Sequence, residues 1–209
     1  MLRCPKCKKQ LIKKDHAFVC EEHHNYDIAK QGYVNLVLSG KKNSGDDAEM
    51  IKSRRTFLQA GYYEPLQKAL IEAIKAEKCK VLIDAGCGEG YYTSACSEIC
   101  DVYGFDLSKS AVKLASAFDK RSTYAIASIA KLPLEDECAD AVLSVFAPCD
   151  ETEFYRVLKP NGLFLKVEPA TKHLYELKQV LYDDVYLNDE HAMEYEQFLF
   201  CLLYTSRCV

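Results

Sequence analysis

The chain has 209 residues, of which 49% are hydrophobic and 28% charged, and its formal net charge is −4. That composition is ordinary for a globular protein and excludes fibrous and low-complexity chains. No apolar run reaches about 18 residues, so a membrane-spanning helix is not expected. The start is charged and cysteine-bearing, unlike the apolar stretch of a secretory signal, so a cytoplasmic location is expected. In that reducing compartment the 11 cysteines are thiols or metal ligands and not a disulfide framework. The length suits one ordinary domain plus a small module. The charge is unevenly spread: residues 1–45 carry nine Lys/Arg against four Asp/Glu, a local +5 that leaves the other 164 residues at −9. A basic end on an acidic body suggests a polyanionic partner.

Residues 1–36 form the first zone. Cys4-x2-Cys7 is followed by Cys20-x3-His24, the spacing of a structural zinc site with two ligands from each of two knuckles. His23 competes with His24 for the fourth position, and the x3 spacing favours His24. Four protein ligands close the site, so such a zinc contributes folding energy to a module too small for its own core and does no catalysis. Residues 37–78 read as a Gly/Ser-rich linker followed by connecting helices, with Leu66, Leu70, Ile71 and Ile74 at helical spacing after Pro65.

From Cys79 onward strands and helices alternate. CKVLIDAGC, DVYGFD, STYAIAS, ADAVLSVFAP and GLFLKVEPA read as five strands. YYTSACSEIC, SKSAVKLASAF capped by Ser108, DETEFYRVL and KHLYELKQVLYD read as helices, the third stopped by Lys159-Pro160-Asn161-Gly162. This rhythm predicts an α/β fold with a parallel, doubly wound, Rossmann-like sheet.

The first strand ends at Asp84 and turns through Gly86-x-Gly88-x-Gly90 into a helix. Glycines there let the backbone approach a ligand closely. A dinucleotide fingerprint would need glycine where Tyr91 stands. The G-x-G-x-G spacing after an acidic residue is similar to the cofactor loop of S-adenosylmethionine-dependent methyltransferases. Asp106 closes the second strand, where a carboxylate suits ribose hydroxyls. Ser128 follows the third strand, where an adenine edge would lie, and Ala147-Pro148-Cys149 follows the fourth, where a methyl acceptor would approach.

Taken in order, CPKC…CEEHH, YDIAKQGYVNLVL, GDDAEMIKSRRTFLQAGYYEPL, VLIDAGCGEGYYT, FDLSKSAVKLA, FAPC, RVLKPNG and HLYELK resemble one family across residues 1–198: the bacterial 23S rRNA (guanine-N1)-methyltransferases. The resemblance implies a class I methyltransferase domain with an N-terminal zinc module, methylating N1 of a guanine in a 23S rRNA hairpin loop. It implies zinc on Cys4, Cys7, Cys20 and His24. It also implies S-adenosylmethionine contacts from Gly88 and Glu89 in the loop, from Tyr63 ahead of the domain and from His173 after the fifth strand. With Asp84, Gly86, Gly90, Asp106 and Ser128 these complete the expected cofactor site. Lys8, Lys9, Lys13 and Lys14 on the module, with Arg54 and Arg55, are expected to hold RNA phosphates. A homodimer is expected from the family alone. Other readings are a zinc-finger methyltransferase for a different RNA or a small molecule, and a non-catalytic RNA-binding module; the intact GCGEG loop with Asp106 favours an enzyme.

The end departs from the family pattern. Residues 79–200 are read as a truncated methyltransferase domain, and CLLYTSRCV, 201–209, as a non-native tail, with FLFCLLYT as a sixth strand the alternative. A poorly active fragment with an unpaired sheet edge is the expectation that follows.

Overall fold

The computed structural model describes residues 1–38, 48–185, 187–188 and 199–205, the last stretch as a backbone path. Three short antiparallel strands, β1 (Ile12–Lys14), β2 (Ala17–Val19) and β3 (Asn25–Asp27), build the N-terminal module. Strand β4 (Tyr33–Asn35) follows, then helices α1 (Ala48–Gln59) and α2 (Glu64–Ala76). The body runs β5 (Val81–Ala85), α3 (Tyr91–Cys96), β6 (Asp101–Asp106), α4 (Lys109–Phe118), β7 (Thr123–Ile126), a 3-10 turn at Ile129–Lys131, β8 (Ala139–Val145), α5 (Glu151–Val157), β9 (Leu158–Pro169) and α6 (Tyr175–Leu181). Strand β10 (Leu199–Thr205) closes the described chain.

The large sheet has the order β10-β9-β8-β5-β6-β7-β4, with every pair parallel. Its central strands are apolar on both faces because helices cover both, as a parallel sheet requires. On one face Leu70 and Ile74 of α2 pack with Leu82, Leu143 and Leu165. On the other, Phe154 and Val157 of α5 pack with Ile83, Val142 and Phe164. The Phe154 and Phe164 rings meet edge to face, 5.5 Å between centroids. Ser108 caps α4 by accepting from the Ala111 N–H, and Asp150 caps α5 by accepting from Glu153.

The five predicted strands are present; the structure adds β4 at one edge and, at the other, β10, which falls on FLFCLLYT, the alternative sixth strand. Strand β4, inside the segment read as the zinc module, pairs with β7 from Tyr33 opposite Tyr124 to Asn35 opposite Ile126. The Leu36 N–H continues that ladder to the Ile126 carbonyl at 2.9 Å. Val34 and Leu36 are buried beneath it. The edge of the sheet is thereby covered by the chain's own N-terminal part. At the other edge β10 pairs with β9, Leu199 opposite Leu163 through Thr205 opposite Pro169. A strand therefore occupies the first residues of the stretch read as a non-native tail, and residues 206–209 lie outside the described residues.

Lys159-Pro160-Asn161-Gly162 ends α5 as expected, but the chain continues directly into β9 instead of looping away. The register slips between Ala139 and Ala141, and Asn161 takes the left-handed conformation at φ 62°, an irregularity of the bulge kind. Helix α6 starts later than expected, at Tyr175, after Leu174 also turns left-handed.

The module does not hang free. Leu2 bridges Leu134, Arg3 N–H donates to the Pro133 carbonyl at 2.8 Å, and the Arg3 guanidinium lies 3.4 Å from Glu135. Leu36→Ala, which hollows the covered edge beside β7, should lower the unfolding free energy by about 2–3 kcal/mol. Urea denaturation followed by far-UV circular dichroism reads the effect.

Candidate functional site

The zinc ligands converge. One donor atom from each of Cys4, Cys7, Cys20 and His24 lies within 4.8 Å of the others. His24 Nδ1 stands 3.5 Å from Cys4 Sγ and 3.4 Å from Cys20 Sγ, and Cys7 and Cys20 sulfurs are 3.5 Å apart. His23 turns away: it is exposed, with φ 59°, and its N–H closes the knuckle onto the Cys20 carbonyl. The spacing argument for His24 is thus met by geometry. Sequence reasoning missed Tyr26, whose hydroxyl lies 3.1 Å from Cys4 Sγ. Burial pushes the Cys4 thiol up, but the Tyr26 hydroxyl and the N–H groups of Cys7 and Lys6 outweigh it and bring it down to about 6. Three thiols and an imidazole in a closed cluster fit a tetrahedral zinc, and a metal-binding histidine held by its Nδ1 leaves Nε2 to the surroundings.

The second site is a cavity of about 520 Å³ at the carboxyl ends of β5, β6 and β8, the edge where open parallel sheets bind ligands. Its floor is the loop between β5 and α3. Gly86 has φ 89° and a Cβ there would come 2.4 Å from Ala147 Cβ; Gly90, at φ 86°, would collide with Ala115 and the Tyr124 hydroxyl, both 2.8 Å away. Neither position admits a side chain without strain. Around Gly88 the space is open, which is where a ligand can lie against bare backbone.

The structure sorts the expected cofactor residues. Gly86, Gly88, Glu89, Asp106 and Tyr63 line the cavity. Asp106 accepts from the Gly88 N–H at 3.0 Å and the Ser108 N–H at 2.7 Å, so one carboxylate ties the glycine loop to the end of β6. His173 is buried one step behind the wall, its Nε2 3.5 Å from the Tyr63 hydroxyl and its ring stacked on Phe146 at 5.5 Å. Gly90 belongs to the start of α3 and not to the wall. Ser128 begins the 3-10 turn after β7 and is not a lining residue. Asp84 lies beneath the wall, where it accepts from the Thr93 hydroxyl at 2.5 Å. Those three act through the loop or stand away from it.

Arg54 lines the cavity with Phe57 and Leu58, so α1 forms part of the wall. Arg55 is turned to the glycine loop and to α4. Its Nη1 lies 2.7 Å from Glu89 Oε2, and its guanidinium sits 3.9 Å from the centroid of the Phe118 ring. The residue expected to hold an RNA phosphate thus takes part in an internal ion pair. The signal was present: successive helical residues point about 100° apart, so adjacent arginines need not share a task. Phe146, unassigned from sequence, stands at the mouth with φ 51° and its ring 5.9 Å from Tyr63. On the module, Lys8, Lys13 and Lys14 are exposed, and Lys9 lies 3.8 Å from Glu21.

The cavity is acidic at its base. Besides Asp106, the Glu89 side chain is 3% exposed, and its Oε1 has no partner among the described residues. A buried carboxylate oxygen without a donor fits a ligand that brings a cation or an N–H group.

A sheet of this order with a glycine loop, a strand-end aspartate and an attached Cys3His knuckle defines a methyltransferase of the Rossmann-like class bearing a zinc ribbon. Comparison with known proteins agrees. A methyltransferase domain model matches residues 83–165, and a zinc-ribbon model described as RlmA, N-terminal, matches residues 2–45. The 23S rRNA (guanine(748)-N(1))-methyltransferase of Streptomyces fradiae is 37% identical over 188 residues, covering 86% of this chain and 67% of that one. A Bacillus subtilis protein, YxjB, assigned by name to the 23S rRNA (guanine-N1)-methyltransferases, is 34% identical over 197 residues, covering 88% of this chain and 70% of its own length. Among solved structures, a Methanococcus maripaludis protein described as S-adenosyl-L-methionine-dependent gives a TM-score of 0.51 at 20% identity, over 68% of this chain and 74% of that one; this likeness shows the fold. The chain belongs to the 23S rRNA (guanine-N1)-methyltransferase family.

Two outcomes test the geometry. His24→Ala should lose bound zinc while His23→Ala keeps it, measured by metal analysis after gel filtration. Burial, helped by the nearby Asp106 charge and opposed by Thr93, raises Asp84 from 3.8 to about 7. The folded state then keeps a proton that the unfolded chain has released, so unfolding free energy falls as pH rises from about 4 to about 7 and levels off above. Asp84→Asn lacks this loss. Its stability advantage over the parent chain should therefore grow by up to about 4 kcal/mol across that window, read by urea melts at each pH.

Proposed function

We propose that this chain transfers a methyl group from S-adenosylmethionine to N1 of a guanine in a hairpin loop of 23S rRNA. The observation that carries this is the cavity over the glycine loop, with open backbone at Gly88, the Asp106 carboxylate and the unpartnered Glu89 oxygen, in a chain of this family. Bound there, S-adenosylmethionine supplies a sulfonium-activated methyl group. Asp106 would accept from ribose hydroxyls, Glu89 would face a cationic group, and Gly88 would let the ligand lie against the backbone. Tyr63, with His173 behind it, and Phe146 would bound the mouth where the acceptor enters. No covalent enzyme intermediate is needed, so the protein contributes positioning and a water-poor pocket.

The acceptor nitrogen carries a proton at neutral pH and lies on the Watson–Crick edge. The base must therefore be unpaired or turned out of its stack, and the proton must leave to a carboxylate, an imidazole or water as the N–CH3 bond forms. Loop nucleotides meet that need, and aromatic side chains are the usual surfaces for splayed bases. Residues 1–36 would grip RNA through Lys8, Lys9, Lys13 and Lys14, with Arg54 nearer the cavity, leaving 37–78 as the connection and 79–200 as the catalytic domain. Action on ribosomal RNA would put the protein in the cytoplasm, and self-association as a homodimer is the state carried over from the family. No helix among the described residues is long and apolar enough to cross a membrane.

The direct experiment incubates the chain with unmodified 23S rRNA and methyl-labelled cofactor, then maps the label. A single loop guanine should be labelled, with a reverse-transcription stop there, because N1 methylation blocks pairing. Label on another base, or none, would sink the reading.

A further inference from the structure

Glu89 is an odd residue to bury. Its side chain is nearly closed off from solvent, yet only one carboxylate oxygen is paired. Oε2 takes Arg55 Nη1 at 2.7 Å, and the same Nη1 reaches the Glu89 carbonyl at 3.3 Å. With the Gln59 amide turned so that its oxygen faces Arg55, that oxygen accepts from Nη2 and Nε, each at 3.2 Å. The guanidinium plane covers the Phe118 ring of α4. Arg55 thus contacts α4, its own helix α1 and the glycine loop at once, and four of its five N–H donors are used inside the protein. The atom of the pair without a partner among the described residues is Glu89 Oε1, in a residue that lines the cavity.

An isolated buried carboxylate is strongly disfavoured, and a nearby guanidinium is what holds it ionised. On balance burial raises the Glu89 carboxyl, with Arg55 first, then the Tyr91 N–H and Arg54, opposing it. Arg55 also fixes which oxygen is spent, because its Nη1 occupies Oε2 and leaves Oε1 without a partner among the described residues.

We propose that Arg55 is a positioning residue for the cofactor: it locks Glu89 as an oriented receptor for the cationic amino-acid end of S-adenosylmethionine, and ties α1 down as the wall of that cavity. This deepens the cavity reading given above and rests on it. The arrangement couples two events. Cofactor binding at Oε1 and docking of α1 through Oε2 share one carboxylate, so each strengthens the other.

The test is calorimetric titration of S-adenosylmethionine into the RNA-free, zinc-loaded chain. Arg55→Ala should weaken cofactor binding about tenfold or more, and Arg55→Lys, which keeps the charge but not the fork, by less. In a Glu89→Gln background the further loss on removing Arg55 should largely vanish, since the two residues act as one unit. Amide exchange in α1 should slow on cofactor addition in the parent chain and not in Arg55→Ala. Zinc content and thermal unfolding check that each variant is folded; if Arg55→Ala unfolds, Arg55→Lys and the Glu89→Gln comparison decide. Unchanged cofactor affinity in a folded Arg55 variant, with weaker RNA binding and a salt slope reduced by about one, would overturn the assignment and restore a phosphate contact. No cofactor binding by the unsubstituted chain would overturn the cavity reading, and this assignment with it.

Discussion

Cys4 and Cys20 are buried in the same apolar core as Ile83, Phe105, Val142 and Phe164, and this continuity ties the zinc ribbon to the catalytic sheet. A ribbon of three three-residue strands has too little apolar surface to fold alone, so the metal must order it. Once ordered, Leu2 and Leu11 complete the core under the 132–134 segment, and β4 adds itself to the sheet beside β7. The lysines of the ribbon are then held at a fixed place relative to the glycine loop. Losing the zinc would therefore loosen a sheet edge as well as a surface module.

The body of the fold was legible in the sequence because its strands are continuous apolar runs punctuated by glycine, and such runs mark a buried parallel sheet. The zinc ligands were legible because tetrahedral coordination imposes a spacing. Strand β4 was not legible. Its three residues carry no periodicity, and its partner, β7, is about ninety positions further on; only tertiary pairing makes it a strand. Nor was the slip at Asn161 in β9, where Pro and Gly read as a stop but the strand accommodates them at its irregular start. The cofactor residues divide the same way. Glycines forced by close approach, such as Gly86 and Gly90, could be read directly. The job of Asp84 could not, because whether a strand-end carboxylate faces a ligand or a neighbouring threonine depends on the loop's path.

Arg55 shows the limit most clearly. Two adjacent arginines in a basic, RNA-associated chain invite one explanation for both. Their separation around the helix gives them different neighbours, and the nearest unsatisfied acceptor for one of them was an internal carboxylate. Arg54 stays at the cavity wall, close enough to Glu89 to oppose the upward pull of burial on its carboxyl.

The placement of charge follows from having two ligands of opposite sign. A cationic cofactor favours a carboxylate-lined base, here Glu89 and Asp106, whereas RNA is repelled by one. Pairing Glu89 with Arg55, leaving Arg54 at the wall and tying Asp106 to two backbone N–H groups offsets part of the negative field at the mouth without removing the unpaired oxygen inside. Field strength falls with distance and is screened within roughly 10 Å in salt. The acidic base can thus act on a ligand in contact with it while the lysines of the ribbon dominate what an approaching phosphate backbone meets. A chain whose net charge is negative can in this way still present a basic face to nucleic acid.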